Sequence, residues 1–331
     1  MSAAERAPDV AAIRAAAERL SGRAVRTPLL ASPLLDAAAG RRVLVKAECL
    51  QRTGSFKFRG AWAALTALPE GVTGVLACSS GNHAQGVALA AQLLGLRAVI
   101  VMPRDAPRMK RETTAALGAE VVPYDRARDD RDALAARLAA ERGLHLVRPF
   151  DDADVIAGQG TCGLEIAEQA AEAGVTHGTV LTCCGGGGLT AGIALALDAE
   201  APGLTVRPVE PAGHDDTARS LAAGRIVANE SPPDSICDAI LTPAPGRLTF
   251  PVMQRLCGAG LAVTDDEVGR AMVAAFARLK LVLEPGGAVA LAAALFRGDA
   301  LAPGPVIVTA SGGNVDAALY ADTLTRHGDS P

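Results

Sequence analysis

The chain has 331 residues, about half of them hydrophobic, and a formal net charge of −4 from 32 basic and 36 acidic side chains. That length suits two domains or one large α/β unit, and its core needs no disulfide or metal staple. The mixed charge excludes a disordered chain, the mild acidity excludes a basic nucleic-acid binder, and an aromatic fraction of 3% leaves little to stack bases on.

Val10, Ile13, Ala17 and Leu20 recur at helical spacing, so the first segment reads as an amphipathic helix. It lacks the continuous apolar core of a secretion signal. Beyond it, short β-branched runs alternate with alanine-rich helical patterns. Strands are predicted at Val43–Ala47, Gly74–Cys78, Ala98–Met102, Glu120–Val122, Leu144–Val147, Thr179–Cys183, Thr205–Val209 and Val306–Thr309. Helices are predicted at His83–Leu94, Arg131–Glu141, Val155–Ala173, Leu189–Leu197 and Asp265–Lys280. This alternation calls for an α/β fold of mostly parallel sheets with helices on both faces. The uncharged stretch 178–197 is not read as a membrane span, because four glycines interrupt it and bare backbone is not tolerated in lipid. Seven cysteines without a C-x-x-C pair, and five scattered histidines, point to reduced thiols in a cytoplasmic protein and to no zinc site.

Three loops follow predicted strands: SSGN (79–82), GGGG (185–188) and SGGN (311–314). Ligands of open α/β sheets bind at the carboxyl ends of strands, where these loops would gather. Gly185, Gly186, Gly187 and Gly188 precede a helical pattern. Glycines let backbone N–H groups converge on one anion, and the helix beyond adds a favourable dipole. The loop therefore reads as a phosphate cradle, although it lacks the Lys-Ser/Thr of a P-loop. A nicotinamide dehydrogenase is the alternative from another class, since Glu210 lies near the distance at which such a site places its ribose-binding acid. That alternative gives no role to Lys57 or to SSGN.

Lys57 stands in Gly54-Ser55-Phe56-Lys57-Phe58-Arg59-Gly60. Two flanking phenylalanines desolvate an amine and lower its pKa, and a neutral amine attacks a carbonyl. By itself such a lysine reads as a solvated one. Beside a phosphate cradle with no nucleotide lysine, it becomes one half of what pyridoxal phosphate requires.

SFKFRGA, SSGNHAQGVA, the tetraglycine loop and SGGNVD occur in the order found in fold-type II pyridoxal-phosphate enzymes, the tryptophan synthase β-like group. From about Val25 to Asp316 the chain resembles their threonine/serine dehydratase and serine racemase branch. The resemblance implies that Lys57 forms the Schiff base and takes the α-proton. Gly185 to Gly188 hold the phosphate, Asn82 the phenolic oxygen and Ser311 the pyridine nitrogen, with Phe56 near the ring. Ser79, Ser80, Gly81, Asn82 and His83 hold the substrate α-carboxylate, and Ser80 faces the α-carbon opposite the lysine. A hydroxyl at 311 makes the ring a weak electron sink and favours loss of a β-hydroxyl. As a plain structural residue, Ser311 would instead cap the helix that follows.

The resemblance also implies a divalent cation, Mg²⁺ with Ca²⁺ or Mn²⁺ as substitutes, held by Glu210, the carbonyl of His214, and Asp216. Hard oxygen ligands suit such ions. The competing expectation is an acidic helix start capped by Asp215 or Asp216. Ala239, where relatives often carry glycine, is expected to crowd one face of the ring, and Glu284 to lie near it. Arg131 and Arg148 are candidates for a second substrate carboxylate, or surface charges. The implied architecture is a large cofactor domain (1–73 and 151–331) with a small mobile domain (74–150), crossing near Arg148–Asp154, as a homodimer or homotetramer. After Leu324 little chain remains for an allosteric module, so a degradative or racemase-like enzyme is expected. The implied reaction is β-elimination from L-threonine or L-serine to an α-keto acid and ammonia. Threo-3-hydroxyaspartate dehydratase and serine racemase are the alternatives within the branch.

Overall fold

The computed structural model describes residues 6–106, 108–125, 128–230 and 234–328. The chain begins with α1 (Val10–Leu20), β1 (Leu29–Ala31), α2 (Pro33–Ala39), β2 (Val43–Lys46) and α3 (Lys57–Thr66). Then come β3 (Gly74–Cys78), α4 (Asn82–Leu94), β4 (Arg97–Pro103), α5 (Arg108–Ala116), β5 (Glu120–Tyr124), α6 (Arg131–Arg142) and β6 (His145–Leu146). The second half runs α7 (Ala153–Glu172), β7 (Gly178–Cys183), α8 (Gly188–Glu200), β8 (Leu204–Pro211), α9 (Asp216–Ala223) and α10 (Thr249–Leu256). It closes with β9 (Leu261–Val263), α11 (Asp265–Leu279), α12 (Pro285–Phe296), β10 (Val306–Thr309) and α13 (Ala317–His327).

Two sheets result. One has six strands in the order β1-β2-β10-β7-β8-β9, parallel except for the antiparallel edge strand β1. The other has four parallel strands in the order β5-β4-β3-β6. The central strands are mostly apolar because both faces are covered. In the larger sheet Val43, Val45, Leu181, Val306 and Val308 point into a core shared with α11 and α12. Their neighbours Leu44, Val180 and Ile307 point the other way, against α7 and α8. Successive strand residues alternate faces, so a continuous apolar run feeds two cores. In the smaller sheet Val75, Ala77, Ile100 and Met102 meet α3 and α4, while Leu76, Val99 and Val101 meet α6. No helix among the described residues is long and apolar enough to cross a membrane.

Helices α7 and α8 approach closely because glycines line the contact. A Cβ on Gly192 would stand 2.6 Å from the backbone nitrogen of Gly160. Helix α3 is anchored by a buried charge cluster. The Arg59 guanidinium donates to both Glu48 oxygens at 2.8 Å, and to Glu165 at 2.7 and 2.8 Å. Lys46 donates to Glu165, to the Thr27 carbonyl at 2.7 Å and to Gln169 at 2.9 Å. Two cations and two carboxylates thus neutralise each other, with Lys46, Arg59 and Glu48 buried and Glu165 at the edge of the cluster.

The predicted strands all form, with small changes. The run Leu144–Val147 narrows to β6, a two-residue edge strand, and Ala98–Met102 lengthens to β4. Strands β1 and β9 had no counterpart in the prediction. Three residues are too few for an alternation to show, and β9 pairs with β8 from about 50 residues away.

Candidate active site

Lys57 is the first residue of α3, and the segment before it is laced to the SGGN loop. Phe56 N–H donates to the Ser311 carbonyl at 3.1 Å, Gly313 N–H donates to the Gly54 carbonyl at 2.9 Å, and Ser55 bridges to Gly312. The Lys57 ammonium donates to the Pro149 carbonyl at 2.8 Å and lies 5.1 Å from the centre of the Phe56 ring. Burial pushes this amine down to about 8, against the opposing pull of Glu284. The expected desolvated lysine is present, with one partner that the sequence did not announce.

Beside Pro149, Phe150 packs on the tetraglycine loop. A Cβ on Gly186 would stand 2.3 Å from the Phe150 ring, and one on Gly188 would stand 3.0 Å from its Cβ. Gly187 has φ +90° and caps α8. Thr249 donates its hydroxyl to the Gly186 carbonyl at 2.6 Å and holds the loop from below. Among the described residues no hydrogen bond uses the N–H groups of Gly185, Gly186, Gly187 or Gly188. Unspent N–H groups at a helix start form an anion site, and side chains are excluded where the anion would sit.

A second open helix start lies across the lysine. Helix α4 begins at Asn82, and a Cβ on its Gly86 would stand 3.1 Å from the Lys57 carbonyl carbon. Gly81 N–H donates to the Ser79 hydroxyl at 3.1 Å, whereas the amides of Ser80, Asn82 and His83 donate to no described group. The Ser80 hydroxyl is likewise unengaged. His83 is buried. Its Nε2 faces the Val147 carbonyl at 3.3 Å, which assigns the hydrogen to that nitrogen, and Nδ1 has no partner among the described residues. Burial, helped by the Lys57 charge, pushes His83 down to about 3, so the ring is neutral.

Asn82 donates to Glu284, and its carbonyl accepts from Asn314 at 2.7 Å. Burial pushes Glu284 up to about 7. Ser311 is buried and is not a helix cap, because Asp316 takes that role for α13 by accepting from Ala318 at 2.9 Å. Ala239 lies over Gly286, two residues past Glu284. Its neighbour Asp238 accepts from Lys110 of α5 at 2.7 Å, a bridge from the smaller sheet to the larger.

Glu210, His214 and Asp216 gather at the end of β8 and the start of α9. The Glu210 carboxylate accepts from Thr217 N–H at 2.9 Å and Ala218 N–H at 2.8 Å, so Glu210 is the cap that Asp215 and Asp216 were expected to supply. Asp216 accepts from Asn229 at 2.8 Å, while its Oδ2 is buried without a partner among the described residues. The His214 ring accepts from Asp234 N–H at 3.0 Å. No cluster of three or more His, Cys, Asp or Glu side chains fit for a metal occurs among the described residues. Arg131 is paired with Asp132 at 2.8 Å and lies in electrostatic reach of Cys78, the residue before Ser79. Arg148 is exposed.

An amine depressed by burial and flanked by two open helix starts is the arrangement of a phosphate-bearing aldehyde cofactor. Residues 20–312 match the family described as pyridoxal-phosphate dependent enzyme. This chain is a member of that family. An L-threo-3-hydroxyaspartate ammonia-lyase of Pseudomonas sp is 44% identical over 316 residues, covering 93% of this chain and 96% of that one. A serine racemase of Oryza sativa subsp. indica is 38% identical, covering 97% and 95%. The crystal structure of a threonine deaminase from T.th. superposes with a TM-score of 0.89 at 47% identity, covering 93% of this chain and 99% of that one.

Within this pyridoxal-phosphate dependent enzyme, sequence reasoning located Lys57 and its three loops. It missed Pro149, Phe150, Thr249, Lys110 and the part played by Asn314. The first four carry no motif, and Asn314 stands in the sequence only as the last letter of SGGN.

Proposed function

We propose that the protein converts a small β-hydroxy-α-amino acid into an α-keto acid and ammonia. The observation that carries this reading is the Lys57 amine, held near pKa 8 between two helix starts whose N–H groups are unspent. Bound pyridoxal phosphate supplies an aldehyde and a ring that withdraws electrons from the substrate α-carbon. The residues supply the rest. The Gly185–Gly188 amides hold the phosphate, and the Ser80, Asn82 and His83 amides hold the substrate carboxylate. Neutral Lys57 takes the α-proton. Ser80 offers a hydroxyl on the side away from the lysine. Ser311 meets the ring nitrogen with a hydroxyl, which does not enforce protonation there as a carboxylate would. Residues 74–150 would form the mobile unit, and the Lys110–Asp238 bridge is suited to holding it closed over the site and excluding water.

A second reading narrows the substrate to 3-hydroxyaspartate. Arg131 at the start of α6 is the candidate for a second carboxylate: it lies in electrostatic reach of Cys78, the residue before Ser79, and would exchange Asp132 for the substrate. Keto-acid release from L-threonine, L-serine, and threo- and erythro-3-hydroxyaspartate, compared as kcat/KM, tests both readings. Elimination requires keto acid from at least one substrate, and serine racemised without keto acid would replace it with racemisation. The narrower reading expects hydroxyaspartate to lead by about 100-fold or more, and Arg131→Leu to remove that lead.

A divalent cation would draw on Asp216 and on Glu210, whose two oxygens also accept from the Thr217 and Ala218 N–H groups. Both carboxylates are buried, burial first and then the Asp216 charge push Glu210 up to about 8, and one Asp216 oxygen has no partner among the described residues. Glu210, the His214 carbonyl and Asp216 would bind Mg²⁺, or Ca²⁺ or Mn²⁺ in its place. A cation at a hundredfold excess over its Kd stabilises the folded state by about 2.7 kcal/mol. A chelator is therefore expected to lower the Tm and Mg²⁺ to restore it, and a melting curve indifferent to a strong chelator removes the cation. All seven cysteines are unpaired, in keeping with a cytoplasmic location. The same reading expects the protein to assemble as a homodimer or homotetramer.

A further inference from the structure

We propose that Asn314 is a positioning residue that sets which way the Asn82 amide faces. The inference rests on the reading that Asn82 meets the phenolic oxygen of the cofactor. An asparagine amide has a donor end and an acceptor end of nearly equal size, so only its neighbours decide its orientation. For Asn82 the neighbours are unambiguous. Its carbonyl oxygen accepts from Asn314 Nδ2 at 2.7 Å, and its own Nδ2 donates to Glu284 Oε1. Rotated by half a turn, it would set two donors against each other on the Asn314 side, whatever the charge of Glu284, and two acceptors on the other side when Glu284 is ionised. Asn82 is 9% exposed and Glu284 3%, so water cannot repair the mismatch.

Asn314 is itself anchored by something that cannot rotate. Its Nδ2 donates to the Thr53 carbonyl at 2.7 Å, a backbone acceptor, and the second N–H goes to Asn82 at 2.7 Å in preference to Gln85 Oε1, which stands farther off at 3.5 Å. The turn is built to present that carbonyl. Thr53 has φ +62° and Gly54 φ +72°, and a Cβ on Gly54 would stand 2.6 Å from Asn314 Oδ1. A left-handed threonine is costly and persists where its surroundings impose it. Orientation thus passes from the Thr53 backbone to Asn314, and from Asn314 to Asn82. One N–H of Asn82 is spent on Glu284. The other has no partner among the described residues and is left for the cofactor oxygen.

The test compares Asn314→Asp, Asn314→Ser and Asn82→Ala holoenzymes by absorption spectrum, cofactor dissociation and steady-state kinetics. A carboxylate at position 314 cannot donate, so it turns the Asn82 donor toward itself and the Asn82 carbonyl toward the cofactor. Asn314→Asp is expected to shift the cofactor band in the same sense as Asn82→Ala. It should lower kcat by about 10- to 100-fold with a smaller change in KM. Asn314→Ser, which keeps one donor without a charge, is expected to fall between, and it carries the test if the aspartate variant does not fold. If Asn82→Ala moves the band and both Asn314 variants keep the wild-type spectrum and kcat, the inference fails while the reading of Asn82 stands. If Asn82→Ala leaves spectrum and turnover unchanged, the reading of Asn82 fails and takes the inference with it.

Discussion

Lys57→Ala is expected to lower turnover by about 10³-fold or more, because it removes the attachment point and the proton acceptor together. The fold should survive. The Lys57 side chain spends its charge on a single carbonyl, Pro149, at 2.8 Å, and its burial makes the cation a cost rather than a support. Without cofactor, the melting curve of the variant is therefore expected to match the wild type, and normal turnover with cofactor present would sink the assignment. The same amine has a pH signature in the protein without cofactor. Its pKa is lowered to about 8, so the reactive neutral form grows as pH rises through that value and levels off above it. Glu284 opposes the shift, and His83, held near 3, stays neutral throughout. Labelling of Lys57 by an aromatic aldehyde should follow that curve, whereas an ordinary lysine would keep gaining reactivity beyond about pH 10.

The largest expected stability loss belongs to Arg59→Met. Arg59 is almost fully buried and gives two hydrogen bonds to Glu48, which has no solvent contact of its own. Removing one partner of a buried pair leaves an uncompensated charge and costs about 3–5 kcal/mol. Burial by itself pushes the Glu48 carboxyl up, but the Arg59 guanidinium, then Lys46 and Thr27, bring it below its ordinary value. A carboxylate depressed in the folded state contributes stability above the ordinary carboxylate range, and that contribution is lost as pH falls through the folded value. In Arg59→Met burial is opposed only by Lys46 and Thr27, so protonation of Glu48 relieves the strain. The gap between wild type and variant should be widest near neutrality and narrow on acidification. Urea unfolding at several pH values reads it, and a gap below about 1 kcal/mol at neutral pH would overturn the account.

Both residues sit in one heptapeptide, yet the sequence spoke differently about them. Lys57 was legible because its chemistry is local: flanking phenylalanines, a helix start, and an ordered set of loops. Arg59 was quoted only as part of the same motif, since its partners Glu48 and Glu165 lie 11 and 106 residues away. The alternation of β-branched runs with alanine-rich helices determined the α/β class and every central strand, because burial on both faces demands continuous apolar runs. Likewise, four consecutive glycines ahead of a helical pattern were enough to announce an anion cradle.

What packs against that cradle was decided by the tertiary structure. Phe150 and Thr249 reach the loop from 36 and 63 residues away, and neither belongs to a motif. The helix cap at α9 went to Glu210 on the preceding strand rather than to the adjacent aspartates, because a carboxylate placed over the first turn can take two N–H groups at once. Ser311, equally suited by sequence to cap a helix, yielded that role to Asp316 and stayed buried beside the lysine segment. Local chemistry such as a lowered amine or a glycine turn can be read from neighbours along the chain. The orientation of Asn82 or the charge balance around Arg59 depends on which distant groups share a volume closed to water, and only folding determines that.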